Sequence, residues 1–305
     1  MAVSRSGRIM SSQDGTNWTA QIPLSFAFNK VAFGAGKFVA VGDNNLNPYP
    51  YGGFGIISSL DGLAWGSPVS GTGFDLRGIT YGLGKFVAVG SNGKTMISTD
   101  GTDWTTNSTD PNAYFRSVVF GAGRFVATGG RADTAFSQPV LYHSADGVNW
   151  TPGSVTASAP YFTLDRVGFA HGVFIILSAQ SSLYGGGMIF TSFDGQQWQE
   201  RHSPNTLDLT GIAADSRSFV LVNSAGAILQ SSDLRPRLRL QNESGHLQLR
   251  LRGLSNAVYQ VEISTNLIDW NTIATNRLGD QEQQVLETNT RCPRYFTARV
   301  WRRSR

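Results

Sequence analysis

Ser98-Thr-Asp-Gly-Thr-Asp-Trp104 decides the fold, because it is one copy of a motif spread along most of the chain. Ser-x-Asp recurs six times, with its aspartates at Asp14, Asp61, Asp100, Asp146, Asp194 and Asp233. Five copies continue to Gly-x-x-Trp, which places Trp18, Trp65, Trp104, Trp150 and Trp198. The aspartates are 47, 39, 46, 48 and 39 residues apart, a period that signals a repeat architecture with about one four-stranded unit per step. Each residue type has a folding reason. The carboxylate accepts backbone N–H groups across its own turn, glycine supplies a positive φ, and tryptophan fills the wedge between neighbouring sheets.

A second element precedes each turn: Val31-Ala-Phe-Gly-Ala-Gly-Lys-Phe-Val-Ala-Val-Gly42, Ile79-Thr-Tyr-Gly-Leu-Gly-Lys-Phe-Val-Ala-Val-Gly90 and Val118-Val-Phe-Gly-Ala-Gly-Arg-Phe-Val-Ala-Thr-Gly129. It returns more loosely over 167–178 and 212–223. Alternating apolar runs around Gly-x-Gly read as a β-hairpin, and no 3.6-residue periodicity competes. Each unit is therefore strand a, tight turn, strand b, variable loop, strand c, Asp-Gly turn, strand d. The Gly-x-Gly-Lys stretches lack the Lys-Ser/Thr ending and following helix of a phosphate loop, so they are expected to be hairpins with solvated tips.

Ser-x-Asp-Gly-x-x-Trp resembles the Asp-box signature of sialidase-type and related β-propellers. With its Phe-Gly-x-Gly-Lys-Phe hairpin, the chain is most similar to non-catalytic bacterial Asp-box propellers and more distantly to photosystem II assembly-factor propellers. The resemblance covers roughly residues 3–233. It implies an all-β fold, a six-bladed or truncated seven-bladed β-propeller over 1–235, and structural roles for the six aspartates and five tryptophans. It implies no activity, because the family's boxes lie away from its active sites. Ala2-Val-Ser-Arg-Ser-Gly-Arg-Ile-Met-Ser-Ser12 aligns with Ala88 to Ser98, so the first unit opens within strand b, with no export signal before it.

Residues 236–305 change character. Leu247-Gln-Leu-Arg-Leu251, Tyr259-Gln-Val-Glu-Ile263 and Tyr295-Phe-Thr-Ala-Arg-Val300 alternate with period two, which predicts a small antiparallel β-sandwich. Ser264-Thr-Asn-Leu-Ile-Asp-Trp270 resembles the hairpin of fibronectin-like modules that end many secreted bacterial proteins. A seventh blade is the competing reading, disfavoured because no Gly-x-Gly-Lys-Phe hairpin precedes Trp270.

Composition bounds the function. The chain has 305 residues, 40% hydrophobic and only 15% charged, with 35 glycines and one cysteine, Cys292, which excludes an internal disulfide. No apolar run is long enough for a membrane helix. The net charge of +4 divides unevenly: 14 Lys+Arg against 15 Asp+Glu in 1–235, and 11 against 6 in 236–305. All eleven of the latter are arginines spread through alternating strands, which argues against a nucleic-acid partner.

If the a–b turns and Asp-Gly turns share one face, the b–c loops share the other. Those loops vary in length and carry Tyr49, Tyr51 and Phe54, then Arg131 and Asp133, then Tyr184. Variable loops on a rigid scaffold are where recognition resides. On the same face Lys30, Arg77, Arg116 and Arg166 open strand a, with Lys30 and Arg166 one residue out of register with the other two. Asp75 and Asp165 are available to pair with them. An anion-binding crown at a channel mouth follows.

Ligand-binding candidates are therefore Lys30, Arg77, Arg116, Arg166, Tyr49, Tyr51 and Tyr184. The expected partner is a glycan or protein surface, recognised outside or on the surface of the cell. No cofactor, metal or catalytic set is expected: Glu200 is the sole glutamate in 1–235, and the four histidines lack metal-ligand spacing. The alternative is a divergent sialidase-like glycoside hydrolase with its site at the channel mouth, although the family's Arg-Ile-Pro motif is missing.

Overall fold

Serine, aspartate and glycine at this spacing close a turn on themselves. In the computed structural model each of five Ser-x-Asp-Gly turns has the serine Oγ donating to the aspartate Oδ1 at 2.9–3.0 Å and accepting the glycine N–H at 2.7–2.8 Å. The same Oδ1 accepts the next two N–H groups at 2.7–2.9 Å. The glycines sit at φ of +70 to +77°, a left-handed region that a Cβ disfavours. The structure describes residues 1–20, 27–43, 55–67, 74–131, 138–158, 161–180, 187–201, 209–214, 218–223, 228–231, 237–243, 246–252, 258–264, 271–277, 283–288 and 295–300. Asp233 lies outside them.

The six sheets over residues 2–230 are meanders of three or four described strands. The first holds Ala2–Val3, Ile9–Ser11 and Thr19–Ala20, and the second Ala27–Gly34, Lys37–Asp43 and Ile56–Ser59. The third runs Leu76–Gly82, Lys85–Gly90, Lys94–Ser98, Thr105–Ser108. The fourth runs Ala113–Gly121, Arg124–Arg131, Pro139–Ser144, Thr151–Pro152. The fifth runs Phe162–Ala170, Val173–Gln180, Ile189–Ser192, Gln199–Arg201, and Leu209–Ala214, Phe219–Asn223 and Ile228–Gln230 form a sixth. The chain divides into two compact units, Met1–Ala213 with Leu221–Leu229, and Ala214–Val220 with Gln230–Arg305. Within the second unit, two three-stranded antiparallel sheets bury Leu249, Leu251, Tyr259 and Val261 at alternate positions.

The hairpins turn on Ala35-Gly36, Leu83-Gly84, Ala122-Gly123 and His171-Gly172, each with both residues at positive φ, the two-residue turn whose twist suits adjacent strands. Their tips are exposed as expected, at Ala35, Gly36, Leu83, Gly84 and Gly123, while the cation that follows three of them is engaged. Lys37 Nζ donates to Thr102 Oγ1 and Lys85 Nζ to the Asp146 carbonyl, both at 3.0 Å, and Arg124 lies close enough to Asp194 to favour its ionised form. Each cation thus reaches the Ser-x-Asp-Gly turn of the next sheet, so hairpin tips and Asp-Gly turns occupy one face.

Sheet-to-sheet packing is propeller-like. The first strands of consecutive sheets run side by side from Ala27–Gly34 to Phe162–Ala170. Between each pair lies an apolar cluster with one tryptophan at its border: Trp65 beside Ile9, Phe28 and Ile57; Trp104 beside Val41, Leu76 and Phe86; Trp150 beside Val87, Phe115 and Phe125; Trp198 beside Phe162, Phe174 and Phe190. Each fully buried side chain contributes about 1.5–3 kcal/mol, so these clusters carry most of the stability. Trp18 departs from the wedge expectation: it is 42% exposed, and its Nε1 donates to the Gly15 carbonyl at 3.0 Å.

A second contact repeats at the same borders. A Cβ added to Gly34, Gly82 or Gly121 would lie 2.1–2.2 Å from the ring of Tyr81, Phe120 or Phe169 in the following sheet. The first glycine of the hairpin motif is therefore a seat for the next sheet's aromatic ring. The fifth sheet carries Ala170 at this position, and the residue in the register of the aromatic is then Ala214.

Candidate cationic site at the strand openings

At the end of the sheets away from the hairpin tips, the first strand of each unit skips one residue against the second. The pairings run Phe28–Gly42 then Lys30–Val41, Leu76–Gly90 then Gly78–Val89, Phe115–Gly129 then Ser117–Thr128, and Leu164–Ser178 then Arg166–Leu177. The extra residues are Asn29, Arg77, Arg116 and Asp165. A bulge bends the strand and re-aims the side chain it carries. Here all four line one cavity of about 650 Å³. Glycine or serine opposes each bulge, and at Gly42, Gly90 and Gly129 a Cβ would sit only 1.8–2.0 Å from the carbonyl oxygen drawn across the pair.

The cavity collects Arg5, Arg77, Arg116, Arg131 and Arg166 from the first, third, fourth and fifth sheets. A chain of polar contacts links them. Arg5 Nε donates to Asn29 Oδ1 at 3.4 Å, and Asn29 Nδ2 donates to the Leu76 carbonyl at 2.8 Å and to Asp43 Oδ2 at 3.4 Å. Arg77 pairs with Asp43 at 3.5 Å and Asp75 at 3.4 Å, and its guanidinium carbon stands 5.4 Å from the centre of the Tyr114 ring. Arg116 pairs with Asp165, Arg131 pairs with Asp110 at 3.0 Å, and Arg166 Nε donates to the Thr210 carbonyl at 3.3 Å. The buried Nε atoms of Arg77 and Arg116 have no hydrogen-bond partner among the described residues.

Cations outnumber carboxylates here. Arg5, Lys30 and Arg166 form no ion pair among the described residues. Lys30 is not in the cavity lining and is exposed to solvent. An anion entering would find several guanidinium groups already gathered, and charge-assisted hydrogen bonds to them are stronger than neutral ones. Asp165 is the one carboxylate among the lining residues.

The sequence-derived cations are thus brought to one region: Arg77, Arg116 and Arg166 in the lining and Lys30 beside it. Their apparent difference in register has a cause, since the bulge position holds arginine in two sheets but Asn29 and Asp165 in the others, leaving Lys30 and Arg166 one residue later. Asp43 and Arg131 close strand b at this mouth. Tyr49, Tyr51 and Tyr184 lie outside the described residues. Arg5 was not singled out by sequence reasoning; the available signal was its place just past the Ala2-Val-Ser stretch that aligns with strand b. Glu200 is engaged elsewhere, accepting the Ser158 N–H at 2.8 Å and Oγ–H at 2.6 Å. Among the described residues no group of histidine, cysteine and acidic side chains could hold a metal ion, and no helix is long and apolar enough to cross a membrane.

No family model matches this chain, and no curated protein matches it. Among solved structures, YCF48 bound to D1 peptide is similar with a TM-score of 0.50 and 16% identity, over 87% of this chain and 82% of that one. The Nidogen/Laminin complex is similar with a TM-score of 0.52 and 12% identity, over 75% of this chain and 88% of the other. At such identities the likeness speaks for the fold alone, a propeller-like all-β arrangement.

Proposed function

We propose that this chain is a non-catalytic binding scaffold that captures an anionic, extended segment of a protein partner at the cationic cavity. Residues 1–235 serve as a six-bladed, Asp-box-type β-propeller, or six blades of a seven-bladed one, and residues 236–305 as a fibronectin-like sandwich. The observation that carries the reading is the cavity itself, where arginines from four sheets converge on about 650 Å³ with more cations than carboxylates. YCF48, similar in fold, was solved with a peptide bound, which favours a protein over a glycan as the ligand class. Tyr49, Tyr51 and Tyr184 would add aromatic contacts around the rim. The extracellular or cell-surface location belongs to the same proposal, through the resemblance to secreted bacterial propellers.

A glycosidase reading is less well supported. Such chemistry generally needs a proton donor and a second carboxylate or its equivalent, and the single lining carboxylate, Asp165, is already held by Arg116.

Fluorescence anisotropy with a labelled, Asp-rich decapeptide tests the proposal. The expected result is saturable binding that weakens as salt rises, and at least ~10-fold weaker binding in Arg166→Glu with an unchanged melting temperature. Binding indifferent to Arg166→Glu, or seen only with an acidic oligosaccharide, would overturn it.

A further inference from the structure

Within the second unit, Arg237–Glu243 and Gln283–Thr288 flank His246–Arg252 in one antiparallel sheet. Leu249 and Leu251 are buried. Register sets Leu240 opposite Leu249 and Leu238 opposite Leu251, so these four residues share the core face. Alternation assigns Arg237, Arg239, Arg250 and Arg252 to the other face. There Arg239 stands directly opposite Arg250, and Arg237 opposite Arg252. Together they make a ladder of two arginine rungs, about 7 Å apart along the strands.

Such a ladder works against the sheet that carries it, because like charges directly opposite on neighbouring strands are destabilising. Alternation asks only for a polar residue at these positions, and the next rung, Gln241 opposite Gln248, supplies one without charge. Charge on an edge strand deters aggregation, but Arg250 and Arg252 lie on the central strand of the three. A face kept merely soluble would mix signs within its rungs. The glutamates of this face, Glu243 and Glu287, stand opposite His246 and Gln248 rather than opposite an arginine. All eleven basic residues of 236–305 are arginine, although lysine carries the same charge. What arginine adds is a planar fork that meets a carboxylate through two parallel hydrogen bonds.

We infer that this ladder is a docking face for an acidic polysaccharide, whose uronate carboxylates sit on the two arginine rungs. The site is made by the second unit alone and does not depend on the cationic cavity. Two features select a polysaccharide among polyanions. Gln241 and Gln248 continue the ladder and Gln284 stands opposite Arg250, and amides can both donate to and accept from sugar hydroxyls. Phenylalanine, tyrosine and tryptophan, on which the bases of single-stranded nucleic acid stack, are absent from the described residues of this face. Two rungs also impose a length requirement: a lone uronate meets one of them, whereas a chain bridges both.

Fluorescence anisotropy of labelled octagalacturonate with the full chain tests the ladder. Saturable binding is expected, displaced by unlabelled octamer at a carboxylate concentration at least ~10-fold below that needed with galacturonic acid monomer. Arg239→Gln/Arg250→Gln is expected to weaken octamer binding at least ~10-fold, with the melting temperature unchanged or raised because a like-charge pair is gone. Arg237→Gln/Arg252→Gln should do the same, which keeps the ladder readable if either rung variant disturbs the sheet. Both variants should still bind the Asp-rich decapeptide, whose own failure to bind would count against the cavity and not against the ladder. No octamer binding, or octamer binding lost in Arg166→Glu but kept in both rung variants, would overturn the ladder. Equal displacement by monomer and octamer per carboxylate, or tighter binding of oligothymidylate or phosphatidylglycerol vesicles, would overturn the polysaccharide assignment.

Discussion

Gly121→Ala is expected to destabilise the protein by about 3 kcal/mol, and adding Phe169→Ala, which costs about as much alone, is expected to deepen that loss by only about 1 kcal/mol. The new Cβ would stand 2.1 Å from Phe169 Cγ, well inside contact distance, so the ring or the strand beneath it must move. Phe169 cannot retreat freely. Its ring lies 4.5 Å from that of Phe174 and packs on the cluster between the fourth and fifth sheets. Overpacking at such a site costs roughly 1–3 kcal/mol, the upper end applying where neighbours are fixed. Phe169→Ala alone should also cost about 3 kcal/mol through lost packing. A double-mutant cycle in urea should give a coupling of about 2 kcal/mol. Simple additivity would mean that the ring does not use the glycine as its seat.

Acid is expected to unfold the protein through the Ser-x-Asp-Gly turns. Backbone N–H bonds from Asn17, Ala64 and Asp103 are the foremost causes holding Asp14, Asp61 and Asp100 below the usual carboxylate range, Asp100 at about 2. At Asp146 and Asp194 partial burial works the other way, but the N–H bonds outweigh it and the pKa is again lowered. A folded-state pKa below the unfolded value of about 3.9 means that the unfolded chain takes up protons first as pH falls. The stabilisation is complete above about pH 4 and is lost progressively toward pH 2 and below. Calorimetry from pH 7 to pH 2 should show a flat melting temperature followed by a steep fall. Asp100→Asn should start lower and fall less. The shifts arise mainly from hydrogen bonds, so added salt should leave the profile nearly unchanged.

The turns and hairpins were legible because their chemistry is local. Ser144, Asp146, Gly147 and Asn149 satisfy one another within a few residues. The gathering of Arg77, Arg116 and Arg166 was legible from register alone, and the availability of Asp75 and Asp165 as partners from proximity. Cross-sheet relations were not. Nothing local to Lys37 or Lys85 reveals that its ammonium crosses to the following turn 65 or 61 residues away. The bulges were equally hidden, since a one-residue skip leaves no composition signal; only the glycines at 42, 90 and 129 hint at it.

Hydrogen exchange with and without the Asp-rich decapeptide tests most directly whether recognition belongs to the bulge-bearing face. Slowed exchange is predicted over residues 28–30, 76–78, 114–117 and 163–167, with the hairpin tips at 35–37, 83–85 and 122–124 unaffected. Protection confined to those tips and the Asp-Gly turns would put the binding surface on the opposite face and contradict the account.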